Sequence, residues 1–211
     1  MEYPASDSYY WEAVKQLRWL FGEANRRDLD AANIASLATS DLRARPTVRS
    51  VSIVEIGDLG PAFFILGASG KGRQLHSNPQ AALCFYWPQL HHQVVVEGHA
   101  VFVDDATADQ IWKRLSRDGQ LAAWASVMGD SRGDTATGSP FTAAQDRFEG
   151  ETVPRAPGWE AVRLNPDMLQ FWKTGWRKPQ ARKRYIGEDN GVWTLQLAEP
   201  LQGDAGSRDS F

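Results

Sequence analysis

The segment Gly67-Ala68-Ser69-Gly70-Lys71-Gly72-Arg73-Gln74-Leu75 carries the first residues suited to chemistry. An apolar run leads into a glycine-rich turn and then into a short helical stretch bearing Lys71 and Arg73. Free backbone N–H groups at a helix start, together with cations, suit an anion such as a phosphate. An ordinary strand-to-helix turn accounts for the same residues. The pattern is not a G-x-x-x-x-G-K-[ST] loop. Arg49 is the second candidate, sharing a strand phase with Val51 and Ile53. If that face points inward, its guanidinium needs an anionic partner. A phosphate is one candidate and Glu55, in phase on the same strand, is another; an edge strand with Arg49 in solvent requires neither.

Other chemistries find less support. His76, His91, His92 and His99 lack metal-ligand spacing with a third ligand, and Cys84 is the single cysteine, so no metal site is expected. No G-x-S-x-G nucleophile elbow occurs. Within the apolar run Ala81–Trp87, Cys84 reads as a small core residue rather than a nucleophile.

The elements that must position these residues follow from hydrophobic period. Tyr10, Val14, Leu17 and Phe21 recur at helical spacing and predict a helix over Tyr9–Asn25. Strands are predicted at Ile34–Thr39, Thr47–Ile56, Ala62–Leu66, Ala81–Trp87 and Gln93–Asp104. Asp104–Ser116 reads as a helix with an aspartate cap. Gly129–Gly150, rich in Gly, Ser, Thr and Asp, reads as a mobile loop. Strands resume at Trp159–Leu164 and Met168–Lys173, and Arg182–Ile186 and Val192–Leu197 flank the hairpin signal Glu188-Asp189-Asn190-Gly191. Residues 1–8 and 201–211 are expected to fray. Short strands without alternating βα units point to a mainly β domain spanning 1–211, an antiparallel barrel with peripheral helices.

Composition narrows the function. The chain has 211 residues and a net charge of −3, from 23 basic and 26 acidic side chains. A nucleic-acid binder needs a basic face, so no such partner is expected. No apolar run of about 18 residues occurs, so no membrane span is expected. The N-terminus lacks the marks of a secretory signal, and a cytoplasmic location is expected. Nine Trp, nine Phe and five Tyr serve either as core and interface mass or as rings around a planar heteroaromatic ligand.

In order and spacing, several motifs resemble the pyridoxamine 5′-phosphate oxidase family, over about Tyr9 to Pro200. They are Ala38-Thr39-Ser40-Asp41, Arg45-Pro46-Thr47-Val48-Arg49, Ser69-Gly70-Lys71-Gly72-Arg73-Gln74, Asn78-Pro79-Gln80-Ala81-Ala82-Leu83 and Phe85-Tyr86-Trp87. Gln93-Val94-Val95-Val96-Glu97-Gly98, Val153-Pro154-Arg155-Ala156-Pro157-Gly158-Trp159 and Phe171-Trp172 complete the set. The resemblance implies an FMN-binding split β-barrel, a homodimer with FMN at its interface. Arg49 and Lys71 match the family's phosphate cations, and the backbone of Ser50, Val51, Ser52 and Ile53 is expected beside the flavin ring. Phe64 and Ile65 join this cofactor set; Gln93 matches a flavin-bonding glutamine, and Trp172 and Arg182 match partners near the ring. Gly70 stands where the family usually has Arg, and Met128-Gly129 where it has Gln-Ser. Two phosphate or ring contacts, each worth ~1–3 kcal/mol, are therefore expected to be missing. The kept cations and Gln93 favour FMN over heme or deazaflavin.

The substrate positions depart further. Where the family grips its substrate's phosphate with Lys, Tyr, Arg and Ser, this chain has Val54, Ile111, Leu115 and Gly119. An R-x-H pair is replaced by Lys178-Pro179-Gln180. A dianion needs several donors, and an apolar lining leaves it desolvated. Pyridoxine phosphate is therefore not the expected substrate. A less charged planar molecule is expected, with Lys178 or Gln180 as polar partners and Trp176 for stacking. The implied chemistry is hydride transfer to flavin N5 with dioxygen as acceptor, without a dedicated catalytic residue. The phenazine-biosynthesis oxidases, which resemble this family, supply the favoured specific reading; a vitamin-phosphate oxidase proper, a flavin reductase and a non-catalytic flavin-binding protein are the rivals.

Overall fold

The computed structural model describes residues 8–29, 31–131, 139–173 and 182–198. A 19-residue helix α1 (Ser8–Arg26) is followed by strands β1 (Ile34–Ser40), β2 (Pro46–Gly57) and β3 (Gly60–Leu66), then helix α2 (Gly70–Ser77). Strands β4 (Gln80–Trp87) and β5 (His92–Phe102) lead to helices α3 (Asp105–Trp112), α4 (Arg117–Ser131) and α5 (Pro140–Arg147). The long strand β6 (Trp159–Lys173) and the hairpin β7 (Arg182–Gly187) and β8 (Trp193–Ala198) complete the order.

The sheet runs β3-β2-β1-β4-β5-β6-β7-β8, every pairing antiparallel, and β3 also pairs with β6. That extra pairing closes six strands into a barrel, with the β7–β8 hairpin extending from β6. The fold class expected from the sequence is therefore observed. Alternation sends Leu37, Ile53, Phe63, Ile65, Leu83, Phe85, Val94 and Val96 into the interior. The apolar stripe of α1, including Val14, Leu17 and Leu20, packs against this core. Strand β3 is buried on both faces, as its unbroken apolar run requires. Phe63 and Ile65 face the barrel, while Ala62 and Phe64 join a second cluster under the helices with Ile111, Trp112, Leu121 and Trp124. Phe64 meets Trp112 edge-on, centroids 5.2 Å apart.

Four expectations need correction. The helix predicted over Asp104–Ser116 ends at Trp112, and a second helix, α4, starts at Arg117. Its carboxamide partner Gln120 bonds back to the Trp112 carbonyl at 2.9 Å, covering the break. The loop expected over Gly129–Gly150 contains the end of α4 and all of α5, with Ser139 as cap and Pro140 in the first turn. Trp159–Leu164 and Met168–Lys173 form one strand, because a bulge at Asp167 absorbs Pro166 where Gly98 pairs with Pro166 and Glu97 with Met168. Cys84 is not a core residue: Leu83 and Phe85 take the interior and leave it half-buried on the outer face. Burial there pushes its thiol pKa up, against nucleophilic character.

The β7–β8 hairpin forms where expected, with Gly191 at φ +81° in its turn. The Arg132-Gly133-Asp134 tripeptide lies outside the described residues, as do both predicted frayed ends apart from Ser8. No helix among the described residues is long and apolar enough to cross a membrane.

Candidate cofactor site

The site starts from a divergence of two strands. Pairing of β2 with β3 runs from Gly57↔Gly60 to Ile53↔Phe63, with a bulge at Val54. Beyond Ile53, β2 pairs with β1 alone, through Ser52↔Ile34 to Pro46↔Ser40. The Ile53 N–H donates to the Asn33 carbonyl at 2.7 Å on the β1 side. Alternation then turns the N–H and C=O groups of Ser50 and Ser52 towards the open edge. The side chains of Val51 and Ile53 point into the core, as does Ile65 on β3. Phe64 packs in the second cluster. Val51, Ile53 and Ile65 therefore lie on the barrel side of these strands and Phe64 on the helix side.

At the end of this gap, α2 brings a cation to Arg49. The Ser69 side chain caps the helix by accepting from the Gly72 N–H at 3.2 Å. Gly72 is required there, since a Cβ would lie 2.2 Å from the Gly67 carbonyl oxygen. Arg73 is turned back onto the Ala68 carbonyl. Lys71 and Arg49 are both half-buried. Burial lowers the pKa of Lys71, and the Arg49 charge lowers it further; burial alone lowers that of Arg49. No carboxylate among the described residues offsets either charge.

Arg49 is held by neutral oxygens. Its Nη1 donates to Thr39 Oγ1 at 2.6 Å and to the Leu37 carbonyl at 3.3 Å. Its Nη2 donates to Thr47 Oγ1 and to Gln74 Oε1, the latter at 3.3 Å. Glu55, the alternative partner raised by the sequence, is excluded. The bulge at Val54 inverts the strand phase, so Ile56 takes the interior position. Glu55 instead meets Arg114, and Arg163 at 3.6 Å, outside the barrel.

A second group gathers elsewhere on the sheet. Gln93 on β5 pairs with Trp172 on β6, which pairs with Arg182 on β7. The Arg182 guanidinium lies 5.7 Å from the Trp172 ring and donates to Gln170 Oε1 at 2.6 Å. The Nε atoms of Arg182 and Arg184 are buried without a hydrogen-bond partner among the described residues. An open groove of about 390 Å³ crosses the row Ala38, Ala82, Glu97 and Met168 on β1, β4, β5 and β6.

Of the expected substrate positions, Val54 and Leu115 are half-buried against the second cluster and Ile111 is buried within it. A Cβ on Gly119 would come within 3.0 Å of Leu115, so these two are neighbours. Trp176, Lys178 and Gln180 lie outside the described residues. Sequence reasoning missed Thr39, Thr47 and Gln74 as parts of the site. The signal available was Gln74 one helical turn after Lys71.

A closed six-stranded barrel whose strands β2 and β3 part beyond Ile53, with Arg49 and Lys71 half-buried beside that gap, defines a split-barrel protein. The sequence pattern described as pyridoxamine 5′-phosphate oxidase matches residues 21–173, and the chain belongs to that family. It is 36% identical over 170 residues to a pyridoxine/pyridoxamine 5′-phosphate oxidase of Anaeromyxobacter dehalogenans, covering 80% of this chain and 85% of the relative. A protein of the same name from Maricaulis maris is 39% identical over 186 residues, covering 86% and 82%. Among solved structures, PhzG of Burkholderia lata in complex with tetrahydrophenazine-1-carboxylic acid superposes with a TM-score of 0.73 at 23% identity, covering 89% and 92%. A pyridoxamine 5′-phosphate oxidase-related, FMN-binding protein of Nostoc punctiforme gives 0.66 at 21% identity, covering 87% and 96%. These two likenesses speak to the fold.

Proposed function

We propose that this member of the family is an FMN-dependent oxidase, working as a homodimer on a small planar cyclic substrate that carries no phosphate. The observation that carries the cofactor reading is the pair Arg49 and Lys71 beside the open edge of β2, with no carboxylate among the described residues to neutralise them. A phosphate would take that charge, while the free backbone groups of Ser50 and Ser52 would meet a flavin edge. The dimer reading rests on the split of the cofactor set. Through β3 and its pairing with β6, Trp172 lies two strand steps from β2 and Gln93 and Arg182 three, roughly 10–14 Å at ~4.8 Å per step. A second copy facing the first would bring the two parts together.

FMN, held by Arg49 and Lys71, would supply a hydride acceptor and redox chemistry with dioxygen as the oxidant. The chain's own residues hold the phosphate, line the ring and shape the substrate space. Val54, Ile111, Leu115 and Gly119 offer no side-chain cation and no hydroxyl there. A phosphorylated substrate would be desolvated without compensation, at a cost of several kcal/mol, on the order of the scale for unpaired polar groups.

A second reading, a pyridoxine/pyridoxamine 5′-phosphate oxidase proper, is favoured by the names of the curated relatives. Absorbance of the purified protein, the mass of its released ligand and its native mass test cofactor and dimer together. A colourless monomer that ignores added FMN defeats the proposal. Efficient turnover of pyridoxine or pyridoxamine phosphate selects the second reading. Anaerobic bleaching by NAD(P)H alone would make the protein a reductase.

A further inference from the structure

We infer that Gln74 is a positioning residue for the cofactor phosphate: with the hydroxyls of Thr39 and Thr47 it fixes Arg49 through neutral acceptors only, leaving the arginine's charge for a dianion. The inference rests on the flavin reading above.

Gln74 Oε1 accepts from Thr39 Oγ1 at 2.6 Å, from Thr47 Oγ1 at 2.8 Å and from Arg49 Nη2 at 3.3 Å. A guanidinium only donates, so the oxygen of the carboxamide, not its nitrogen, must face Arg49. Each hydroxyl then gives its single proton to Gln74 and accepts from Arg49 with a lone pair. The three residues come from β1, β2 and α2, so the network ties the arginine's strand to the lysine's helix. Gln74 lies three positions after Lys71, on the same side of α2.

The neutrality of the cradle matters. Two half-buried cations repel one another, and a carboxylate would hold Arg49 more strongly. It would also cancel the charge that a phosphate needs, since arginine–carboxylate and arginine–phosphate pairs use the same donors. An amide oxygen fixes the geometry without cancelling the charge, and with both Nη groups engaged by Thr39, Leu37, Thr47 and Gln74 the Nε–H is the guanidinium donor left over. Polar satisfaction of Thr39, which is buried, is then a by-product of the arrangement.

The test compares FMN with riboflavin, which shares the ring and lacks the phosphate. Dissociation constants for both come from quenching of flavin fluorescence, in the full chain and in Gln74→Glu and Gln74→Met. Gln74→Glu is expected to weaken FMN by ~30–100-fold, and Gln74→Met by ~5–20-fold, in line with charge-assisted hydrogen bonds. Riboflavin affinity stays within about twofold in both, which also reports an intact fold and ring site. Thr39→Val, which removes an acceptor of the same guanidinium from another element, lowers the FMN-to-riboflavin preference as well. A preference unchanged in all three variants, or equal loss of both flavins, overturns the inference alone. A wild-type chain that binds neither flavin overturns the flavin reading and this inference with it.

Discussion

Arg49 and Glu55 share strand β2 but lie on opposite sides of the barrel wall, separated by the bulge at Val54. Six positions apart on an unbroken strand, they would have shared a face, though separated by about 20 Å. The inserted residue sends Glu55 outward to Arg114 and Arg163 and leaves Arg49 among threonine and glutamine oxygens.

Replacing Glu55 is therefore a stability experiment rather than a binding one. Glu55→Gln should cost about ~1 kcal/mol, because its side chain is only 15% exposed while Arg114 is largely in solvent. FMN affinity should stay within about twofold, as expected for a site beyond direct contact. Chemical denaturation and flavin titration check the two halves.

The anion site should give FMN binding a defined pH window. Its lower limit is the second phosphate ionisation, near ~6. Its upper limit is set by Lys71, whose pKa is lowered by burial and then by Arg49. The sign follows from the charge. In the free protein the ammonium is disfavoured, so stability is gained as pH rises through the lowered value; a bound dianion favours the ammonium, so affinity falls over the same range. Lys71→Met should weaken FMN by about tenfold near neutrality and abolish the alkaline limb. A titration series from acid to alkaline pH reads both effects.

Gly70 offers a gain of function. A Cβ there meets nothing within 4 Å, and the residue starts α2 beside Lys71. Gly70→Arg should tighten FMN by about 5–10-fold through one added charge-assisted bond, without tightening riboflavin. Titration of both flavins decides it.

The apolar substrate positions can be reversed. Val54 and Leu115 pack against the same cluster. Val54→Lys with Leu115→Arg should raise kcat/KM for pyridoxine phosphate by roughly tenfold or more over the parent chain, if the parent lacks a phosphate grip. Steady-state oxygen consumption measures it. High activity in the parent would instead select the vitamin-phosphate reading.

Gly98 is a structural test. A Cβ at this position would lie 2.0 Å from the Asn165 carbonyl oxygen, where β5 crosses the bulge of β6. Gly98→Ala must push the two strands apart, costing about ~3 kcal/mol and roughly 6–12 °C in Tm. Thermal unfolding of the full chain checks it.

The amino-acid order alone determined the strands, the amphipathic first helix and the turn chemistry, because those are encoded in local period and in residues with restricted backbones. It also supplied the cations Arg49 and Lys71 and the motifs that carry the family likeness. Helix α4 was not legible because its apolar residues do not gather on one side, although the Ser139-Pro140 start of α5 was a readable signal. Only the tertiary structure decided which groups meet. Thr39 and Gln74 are 35 positions apart and touch because α2 folds over the end of β1. Barrel closure by β3 with β6, the outward turn of Glu55 and the joining of two strand halves through Asp167 each depend on long-range pairing or on a bulge. A one-residue insertion changes every face after it while leaving the local pattern almost untouched, so its consequence appears only when the neighbouring strand is in place.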